Sequence, residues 1–231
     1  RKKLALAAEH QRNDRFKEAE QLYREVLRKN PNNVDAVRLL GTIAASQSRM
    51  GEAERRFRRA IELAPDYVRV IIDLGRILKE QDRYQEAIDC FKQAITLEPG
   101  NIQSHFQLAS TLAPAALTYE AVEAYQRVLE LKPKHPGALL GLAHMLKTVG
   151  RQDEAVSAYR DFIRLTPDHG EGYWSLANLK TYRLTDEDTH EMEIQLAKDD
   201  VTDLSAVNFM FALAKTYEDQ DDFDRAWGYY N

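Results

Sequence analysis

The chain has 231 residues, of which 44% are hydrophobic and 30% are charged, a balance typical of folded proteins. No stretch approaches the run of about 18–20 apolar residues that a membrane span requires, so we expect no membrane partner. The single cysteine, Cys90, excludes an internal disulfide framework and favours a reducing compartment, which we take to be the cytoplasm. We expect Cys90 to be a small packed residue of a helix.

The net charge of −5 conceals a gradient along the chain. Residues 1–60 carry 15 Lys and Arg against 8 Asp and Glu, a net +7, whereas residues 168–231 carry 5 against 15, a net −10. Such an asymmetry steers charged partners or sets how molecules pack end to end, although solvated helix faces also account for it. Basic and aromatic residues are not interleaved on one element, so we expect no nucleic-acid partner.

A repeat of 34 residues organises the sequence from its N-terminal end onward. Five of the seven prolines mark its period, at Pro31, Pro65, Pro99, Pro133 and Pro167. An alanine lies 12 positions before each proline, at Ala19, Ala53, Ala87, Ala121 and Ala155. An aromatic residue lies 8 positions before each proline, at Tyr23, Phe57, Phe91, Tyr125 and Tyr159. A leucine followed by a glycine or an alanine lies 25 positions before, at Leu6, Leu40, Leu74, Leu108 and Leu142.

Each repeat unit is predicted to be two helices joined by a turn. The first helix has apolar residues at helical spacing, as at Val37, Leu40 and Ala44. On this helix the large leucine stands beside a small residue, which leaves a gap. On the second helix the alanine leaves the matching gap and the aromatic ring is the matching large side chain, so the two helices can pack closely. An Asp or Gly in the turn, as at Asp82 and Gly150, suits a left-handed helix end. The proline ends the second helix because it has no backbone N–H to donate.

The period, the order and the residue classes resemble the tetratricopeptide repeat over nearly the whole chain. The resemblance implies an all-α fold, a right-handed α-α superhelix of about six and a half helical hairpins, whose first helices line a concave face. We predict three regions. Residues 1–169 hold five regular 34-residue units, the first of them partial, residues 170–206 hold a degenerate sixth hairpin, and residues 207–231 hold a truncated seventh unit.

Two departures from the repeat are expected to change the helices. Pro114 stands in the last turn of a first helix, which should therefore end early or kink, either as a tolerated irregular turn or as a hinge that widens the groove. The sixth hairpin keeps a predicted first helix over 173–180. Its second helix is predicted to begin at the N-cap Thr185, which stands before the acidic residues 186–188, and to have a thin apolar stripe at Met192, Leu196 and Ala197. The pattern resumes at Leu213, three residues out of register.

A second resemblance covers the C-terminal third. Residues 175–187, with Met192 and residues 211–219, are similar to the junction in bacterial fusions of tetratricopeptide repeats with a sulfotransferase. This implies a non-catalytic N-terminal region that recruits the acceptor or oligomerises, with the catalytic domain beyond residue 231. The alternatives are a free-standing repeat protein and another repeat–enzyme fusion. The absent initial methionine and the aromatic last helix indicate a fragment of a longer protein.

The sequence has no complete motif for catalysis or for binding a metal or cofactor, so we expect no catalytic residue, no metal and no cofactor. There is no phosphate-binding loop, and His190 begins a zinc-protease-like motif that lacks its second histidine. His135 and His169 occupy equivalent loops of adjacent units, which the repeat separates by roughly 10 Å. We predict that both histidines are solvated. Cys90 has no predicted histidine neighbour that would activate it as a nucleophile.

A binding groove remains, for which the resemblance supplies the lining. The residues that it places on the concave face are Arg38, Thr42, Arg69, Asp73, Arg76, Lys79, Gln103, Phe106, Gln107, Ser110, His144, Lys147, Trp174 and Asn178. The cationic stretch from Arg38 to Lys79 predicts a non-catalytic scaffold for a protein or an extended peptide with acidic groups, although a solvated helix face is the other interpretation. We also expect a homodimer through exposed terminal aromatic residues.

Overall fold

The computed structural model describes residues 2–230, in which all regular structure is helical. The helices are α1 (Lys2–Arg12), α2 (Phe16–Lys29), α3 (Val34–Ser46), α4 (Met50–Leu63), α5 (Val68–Glu80), α6 (Tyr84–Leu97), α7 (Ile102–Leu112), α8 (Thr118–Leu131), α9 (Pro136–Thr148), α10 (Gln152–Leu165), α11 (Glu171–Ala177), α12 (Asp186–Leu196), α13 (Asp203–Asp219) and α14 (Phe223–Tyr230). No helix among them combines the length and the apolar character that would let it cross a membrane.

Contacts divide the helices into two compact units. Unit 1 runs up to Leu117 and contains α1–α7, and unit 2 runs from Thr118 onward and contains α8–α14. In unit 1, α1 packs on α2, α3 on α4 and α5 on α6, and each second helix also packs on the first helix of the next hairpin. In unit 2, α9 packs on α10 and α13 on α14 in the same way. The predicted all-α stack of helical hairpins is confirmed, whereas the three-region division of the chain stays a prediction.

The predicted fit of small residues against aromatic rings holds the hairpins of unit 1 together. A Cβ placed on Gly41 would lie 2.6 Å from Cε1 of Phe57, and one placed on Gly75 would lie 2.6 Å from Cε1 of Phe91. On the facing second helix, Ala87 is fully buried. Because protein interiors are close-packed, each ring fills the space that a larger side chain would need.

A residue in the left-handed region follows most of the first helices and repeats with the same period. These residues are Asp14 (φ 55°), Ser48 (58°), Asp82 (58°), Ala116 (60°) and Gly150 (82°), each 34 positions after the last. In the N-terminal hairpins the turn therefore has the left-handed helix end that the sequence predicts. Asp221 (φ 61°) is two periods and three residues beyond Gly150, which is the offset seen in the sequence.

Helix α7, the first helix of the hairpin that contains Pro114, is shortened, as predicted. Helix α7 ends at Leu112 after 11 residues, where α3 and α5 each have 13. The amide N of Leu117 then bonds to the carbonyl O of Leu112 at 3.0 Å, which closes the turn before α8. Pro114 lies in this turn, where its missing N–H breaks no helical bond.

The sixth hairpin shows one error and one success of the sequence analysis. Helix α11 ends at Ala177, so the prediction of a helix over 173–180 is wrong at its C-terminal end. Asn178 Nδ2 bonds to the carbonyl O of Trp174 at 2.8 Å, and Leu179 turns inward to only 2% exposure, which stops the helix. Thr185 is the N-cap of α12 as predicted, since its hydroxyl accepts from the backbone N of Asp188 in a reciprocal capping box.

Candidate functional site

A cavity of about 630 Å³ opens on the first helices of unit 1. We call it the unit 1 groove. Six of the predicted concave-face residues line it, namely Arg38, Thr42, Arg69, Asp73, Arg76 and Gln103. Other lining residues come from α1 and from the loops that precede α5 and α7, and they include Gln11, Tyr67, Glu98 and Asn101.

Helix α5 sets the middle of the unit 1 groove. Arg69, Asp73 and Arg76 are spaced at i, i+4 and i+7, so they share one helix face. The other face is apolar and holds the helix in the core, where Ile71 is fully buried and Leu78 is 1% exposed. The amphipathic pattern of α5 therefore fixes two arginines on either side of one aspartate.

Asp73 is held by a neighbouring first helix. Arg38 Nη1 lies 3.1 Å from Asp73 Oδ2, and the two side chains are only 11% and 14% exposed. The guanidinium of Arg38 also lies 6.0 Å from the ring centroid of Tyr67. Burial raises the pKa of Asp73, and the hydrogen bond and charge of Arg38, with the charges of Arg76 and Arg69, act against that rise. Arg38 and Asp73 thus form a fixed polar floor between α3 and α5.

Arg69 and Arg76 are the available cations of the groove. Both side chains are exposed, and neither forms a hydrogen bond or an ion pair with another residue in the range 2–230. A guanidinium presents five N–H donors in a planar fork that matches a carboxylate. The two arginines can therefore each take a carboxylate from a ligand without breaking an existing pair.

Thr42 and Lys79 are already engaged within unit 1. Gln11 Nε2 donates to Thr42 Oγ1 at 3.0 Å, which joins α1 to α3. Lys79 Nζ donates to Ser110 Oγ at 2.8 Å, and burial, helped by Arg76, lowers the pKa of Lys79. The predicted residues Lys79, Phe106, Gln107 and Ser110 lie on α5 and α7 but do not line the cavity.

In unit 2 the predicted residues lie on two first helices, and His144 is tied to its neighbours. The Nδ1 atom of His144 is 2.8 Å from the hydroxyl of Tyr159, and its Nε2 atom is 3.3 Å from Glu171 Oε1. Lys147, one turn along α9, is half-buried. These contacts fix the orientation of the imidazole and leave it little freedom to reach a ligand.

Trp174 belongs to an aromatic row that the sequence analysis missed. Its ring centroid is 5.5 Å from that of Phe211, which is in turn 5.9 Å from that of Tyr230. A signal for Phe211 was present, because it stands one period and three residues after Trp174. Asn178, the last predicted residue, bonds to the backbone of Trp174 and lies at the end of α11.

The histidines of the loops differ from expectation. His135 Nδ1 accepts from the backbone N of Ala138 at 3.2 Å and so caps α9, and burial lowers the pKa of His135. The ring of His169 packs edge-on against Phe162, with centroids 5.3 Å apart. The prediction that both are solvated is wrong, since each is half-buried. An imidazole in the N-cap position gives the helix an acceptor, which the loop register alone does not reveal.

Two further groups bear on chemistry. Cys90 is half-buried against the core of unit 1, as a packed residue should be, and burial raises the pKa of its thiol to about 11. The thiol is therefore protonated at neutral pH and a poor nucleophile. Within residues 2–230 no group of three His, Cys, Asp or Glu side chains is arranged to hold a metal ion.

Two family models match the sequence. The model of the middle TPR-like domain of cilia and flagella-associated protein 70 matches residues 3–124, and a tetratricopeptide-repeat model matches residues 119–170. No curated protein sequence matches the chain. These matches lend no support to the sulfotransferase junction, which stays a prediction.

Solved structures share the architecture. PilF of Pseudomonas aeruginosa has a TM-score of 0.73 at 19% identity, over 98% of this chain and 95% of its own. MamA has a TM-score of 0.66 at 22% identity, over 70% of this chain and 94% of its own. YrrB, described as a TPR protein with an unusual peptide-binding site, has a TM-score of 0.61 at 17% identity, over 89% of this chain and 96% of its own. At these identities the likeness shows the fold.

Proposed function

The chain belongs to the tetratricopeptide-repeat family, and we propose that this non-catalytic scaffold binds an extended, acidic segment of a partner protein in the unit 1 groove. One observation carries the proposal. Arg69 and Arg76 project from one face of α5 without hydrogen-bond or ion-pair partners in the described residues, beside a cavity of about 630 Å³. That volume is within the usual range for ligand sites, about 300–1,000 Å³.

The spacing of the two arginines predicts the spacing of the ligand's acidic groups. Seven residues of helix separate Arg69 from Arg76 by about 10.5 Å along the axis. An extended chain in the polyproline II conformation advances about 3.1 Å per residue and has three residues per turn, so carboxylates three positions apart lie on one side and span roughly 9 Å. The carboxylate of Asp73 lies between the arginines, and it disfavours a third acidic group between the two. We therefore expect two acidic residues separated by two neutral or basic ones.

Short fluorescent peptides test this arrangement by anisotropy. One peptide has glutamates three positions apart with alanines between them, a second has adjacent glutamates, and a third has glutamines in their place. The protein should bind the first peptide best, and the variant Arg69→Glu/Arg76→Glu should lose about tenfold or more in affinity, since hydrogen bonds to charged groups contribute about 1.5–3 kcal/mol.

A matched control separates local contacts from overall charge. Arg58→Glu/Lys92→Glu makes the same change in net charge on the exposed faces of the second helices α4 and α6. This control should retain binding, with both variants keeping the helical circular dichroism of the original protein. Equal affinity of the Arg69→Glu/Arg76→Glu variant and the original protein would place the ligand elsewhere.

Two finer proposals complete the assignment. A cytoplasmic location is supported by the single thiol of Cys90, and fractionation of cells tests it. A homodimer through the terminal aromatic residues is supported by the exposure of Phe223 (62%) and Trp227 (67%) on α14. Loss of dimer mass in Phe223→Ser/Trp227→Ser would support that surface, and an unchanged mass would exclude it.

A further inference from the structure

A second cleft lies on unit 1, away from the residues of the unit 1 groove. It has a volume of about 730 Å³ and opens between the second helices α2 and α4. Half-buried Leu27 of α2 gives it an apolar side chain, and Leu40 of α3, 2% exposed, lies at its base. The rest of the lining is Gln21, Glu20 and four basic residues, Lys17, Arg24, Arg28 and Arg56, which give the cleft a net positive rim. We call it the α2/α4 cleft. No residue is shared between the two cavities.

The basic rim is accessible to a partner. Arg24 pairs with Glu20 at 2.7 Å and Arg28 with Glu25 at 3.8 Å, each on its own helix, and the arginine side chains are 60% and 75% exposed. Lys17 forms no hydrogen bond or ion pair within residues 2–230. Exposed pairs along one helix are weak, so an incoming carboxylate can replace the glutamates at little cost.

Only part of the basic character recurs along unit 1, where Arg58 stands one period after Arg24. One period after Arg28 the sequence has Glu62, and one period after Arg56 it has Cys90. The equivalent position between α4 and α6 therefore has less positive charge. A surface that departs from its own repeat in this way is specialised relative to the other second helices.

A complementary surface occurs on α12 of unit 2. Its exposed face carries Asp186, Glu187 and His190, followed by Ile194, which is 44% exposed. An exposed apolar side chain about two turns from two carboxylates matches a cleft with an apolar side chain and cationic edges. The charge of the surrounding regions agrees, since residues 1–60 have a net charge of +7 and residues 168–231 a net charge of −10.

We propose that α12 of one copy of this chain docks in the α2/α4 cleft of a second copy. The two surfaces differ, so the contact is head-to-tail and leaves one cleft and one α12 face unoccupied in each dimer. Opposite charges bring the surfaces together, and salt should weaken the contact because exposed charges are screened. This contact is an alternative to a homodimer through the aromatic residues of α14, and the two assignments predict opposite outcomes for the variants below.

Sedimentation of the full chain tests the contact. At low salt the average mass should rise with protein concentration, and added salt should return it towards the monomer. Arg24→Glu/Arg28→Glu, the cleft variant, and Glu187→Lys/Ile194→Lys, the helix variant, should each be monomeric. Arg58→Glu/Lys92→Glu, which reverses the charges one and two repeats after Arg24, should associate like the original protein.

Mixing the two monomeric variants is the decisive measurement. The cleft variant keeps an intact α12, and the helix variant keeps an intact cleft, so the pair should form a one-to-one dimer that does not grow further. A mixture that stays monomeric would overturn the proposal, as would an original protein that is monomeric at every concentration at low salt. Association lost only in Phe223→Ser/Trp227→Ser would overturn it too and would place the contact on α14.

Discussion

Arg160 of α10 holds the carboxylate of Asp188 of α12 with two guanidinium nitrogens, one of which, Nη2, lies 2.6 Å from Oδ2. The side chains are 25% and 10% exposed, and the guanidinium also lies 5.1 Å from the ring centroid of Tyr182. Helix α12 buries only one apolar side chain, that of Met192. The ion pair therefore provides a fixed connection where hydrophobic packing is thin.

Removing the charge of Asp188 should destabilise unit 2. In Asp188→Asn the guanidinium of Arg160 loses its anionic partner in a mostly buried position, and we expect a loss of about 2–4 kcal/mol in the free energy of unfolding. Urea denaturation followed by circular dichroism measures it. Arg183→Met, which breaks the exposed pair of Arg183 with Asp219, is the control and should cost about 0–1 kcal/mol. Equal losses would contradict the role of the buried pair.

Asp188 should also make the free energy of unfolding depend on pH. Burial acts to raise the pKa of Asp188, but its bonds to Arg160 and Thr185 outweigh burial and hold the pKa below its usual range. A carboxyl with a lowered folded pKa stabilises the protein above its unfolded pKa, about 3.9, and this contribution is lost as the pH falls through the folded pKa. The difference in stability between the original protein and Asp188→Asn should be full at pH 7 and shrink below about pH 4. A constant difference would exclude this linkage.

Among the residues with a left-handed backbone conformation, Ala116 should be the position where substitution by glycine relieves strain. A side chain at φ 60° strains an alanine, and glycine relieves the strain at some cost in unfolded-chain entropy. Ala116→Gly is expected to raise the free energy of unfolding by about 0.5–1 kcal/mol, and Gly150→Ala, at the equivalent turn, to lower it by about 1 kcal/mol. Thermal and urea unfolding of the two variants measure whether each substitution raises or lowers the free energy of unfolding. A destabilised Ala116→Gly would show that the strain at Ala116 is negligible.

Ala87 tests the packing inside one hairpin. It is fully buried, so Ala87→Leu should overpack the contact between α5 and α6 and cost about 1–3 kcal/mol. Ala155→Leu should do the same in unit 2, because Ala155 is also fully buried. Ala5→Leu, at an exposed position of α1, is the control and should have little effect on the denaturant midpoint. Midpoints unchanged in the two buried variants would refute this packing.

Gly75 and Phe91 should be coupled. Gly75→Ala places a methyl group 2.6 Å from Cε1 of Phe91, so it should destabilise unit 1 by about 1–3 kcal/mol. Phe91→Leu removes the edge of the ring, and the double variant should lose less than the sum of the two single losses. A double-mutant cycle gives the coupling energy, and simple additivity would mean that the two side chains do not meet.

Local rules made much of the fold predictable. Asp82 and Gly150 were expected at left-handed positions because an adjoining helix end requires them, and Thr185 was expected as a cap from its place before three acidic residues. Pro114 predicted a short α7 because a proline cannot continue a helix. Each of these predictions depends on a few residues that are close together in the chain, so their relative positions in space follow from their spacing in the sequence.

The candidate site was predictable only in part. The face of α5 with Arg69 and Arg76 followed from helical spacing, but the ion pair of Arg38 with Asp73 joins side chains 35 residues apart and depends on how two hairpins stack. The aromatic contact of Trp174 with Phe211 depends in the same way on tertiary packing. A repeat pattern predicts the helix face on which a residue lies. The side chain that it contacts on another helix depends on the distances between the packed helices, which the pattern does not give.

The three-residue offset at Asp221 has a practical consequence. The extra length lies within α13, which has 17 residues where α3 and α5 each have 13, and the left-handed turn that ends α13 has kept its conformation. The array therefore tolerates a change of length in this hairpin. The loop from Ala197 to Thr202 is exposed for most of its length and links two helices of unit 2. It is therefore the natural place to splice in a tag, a fluorophore site or a whole guest domain without disturbing the hairpins.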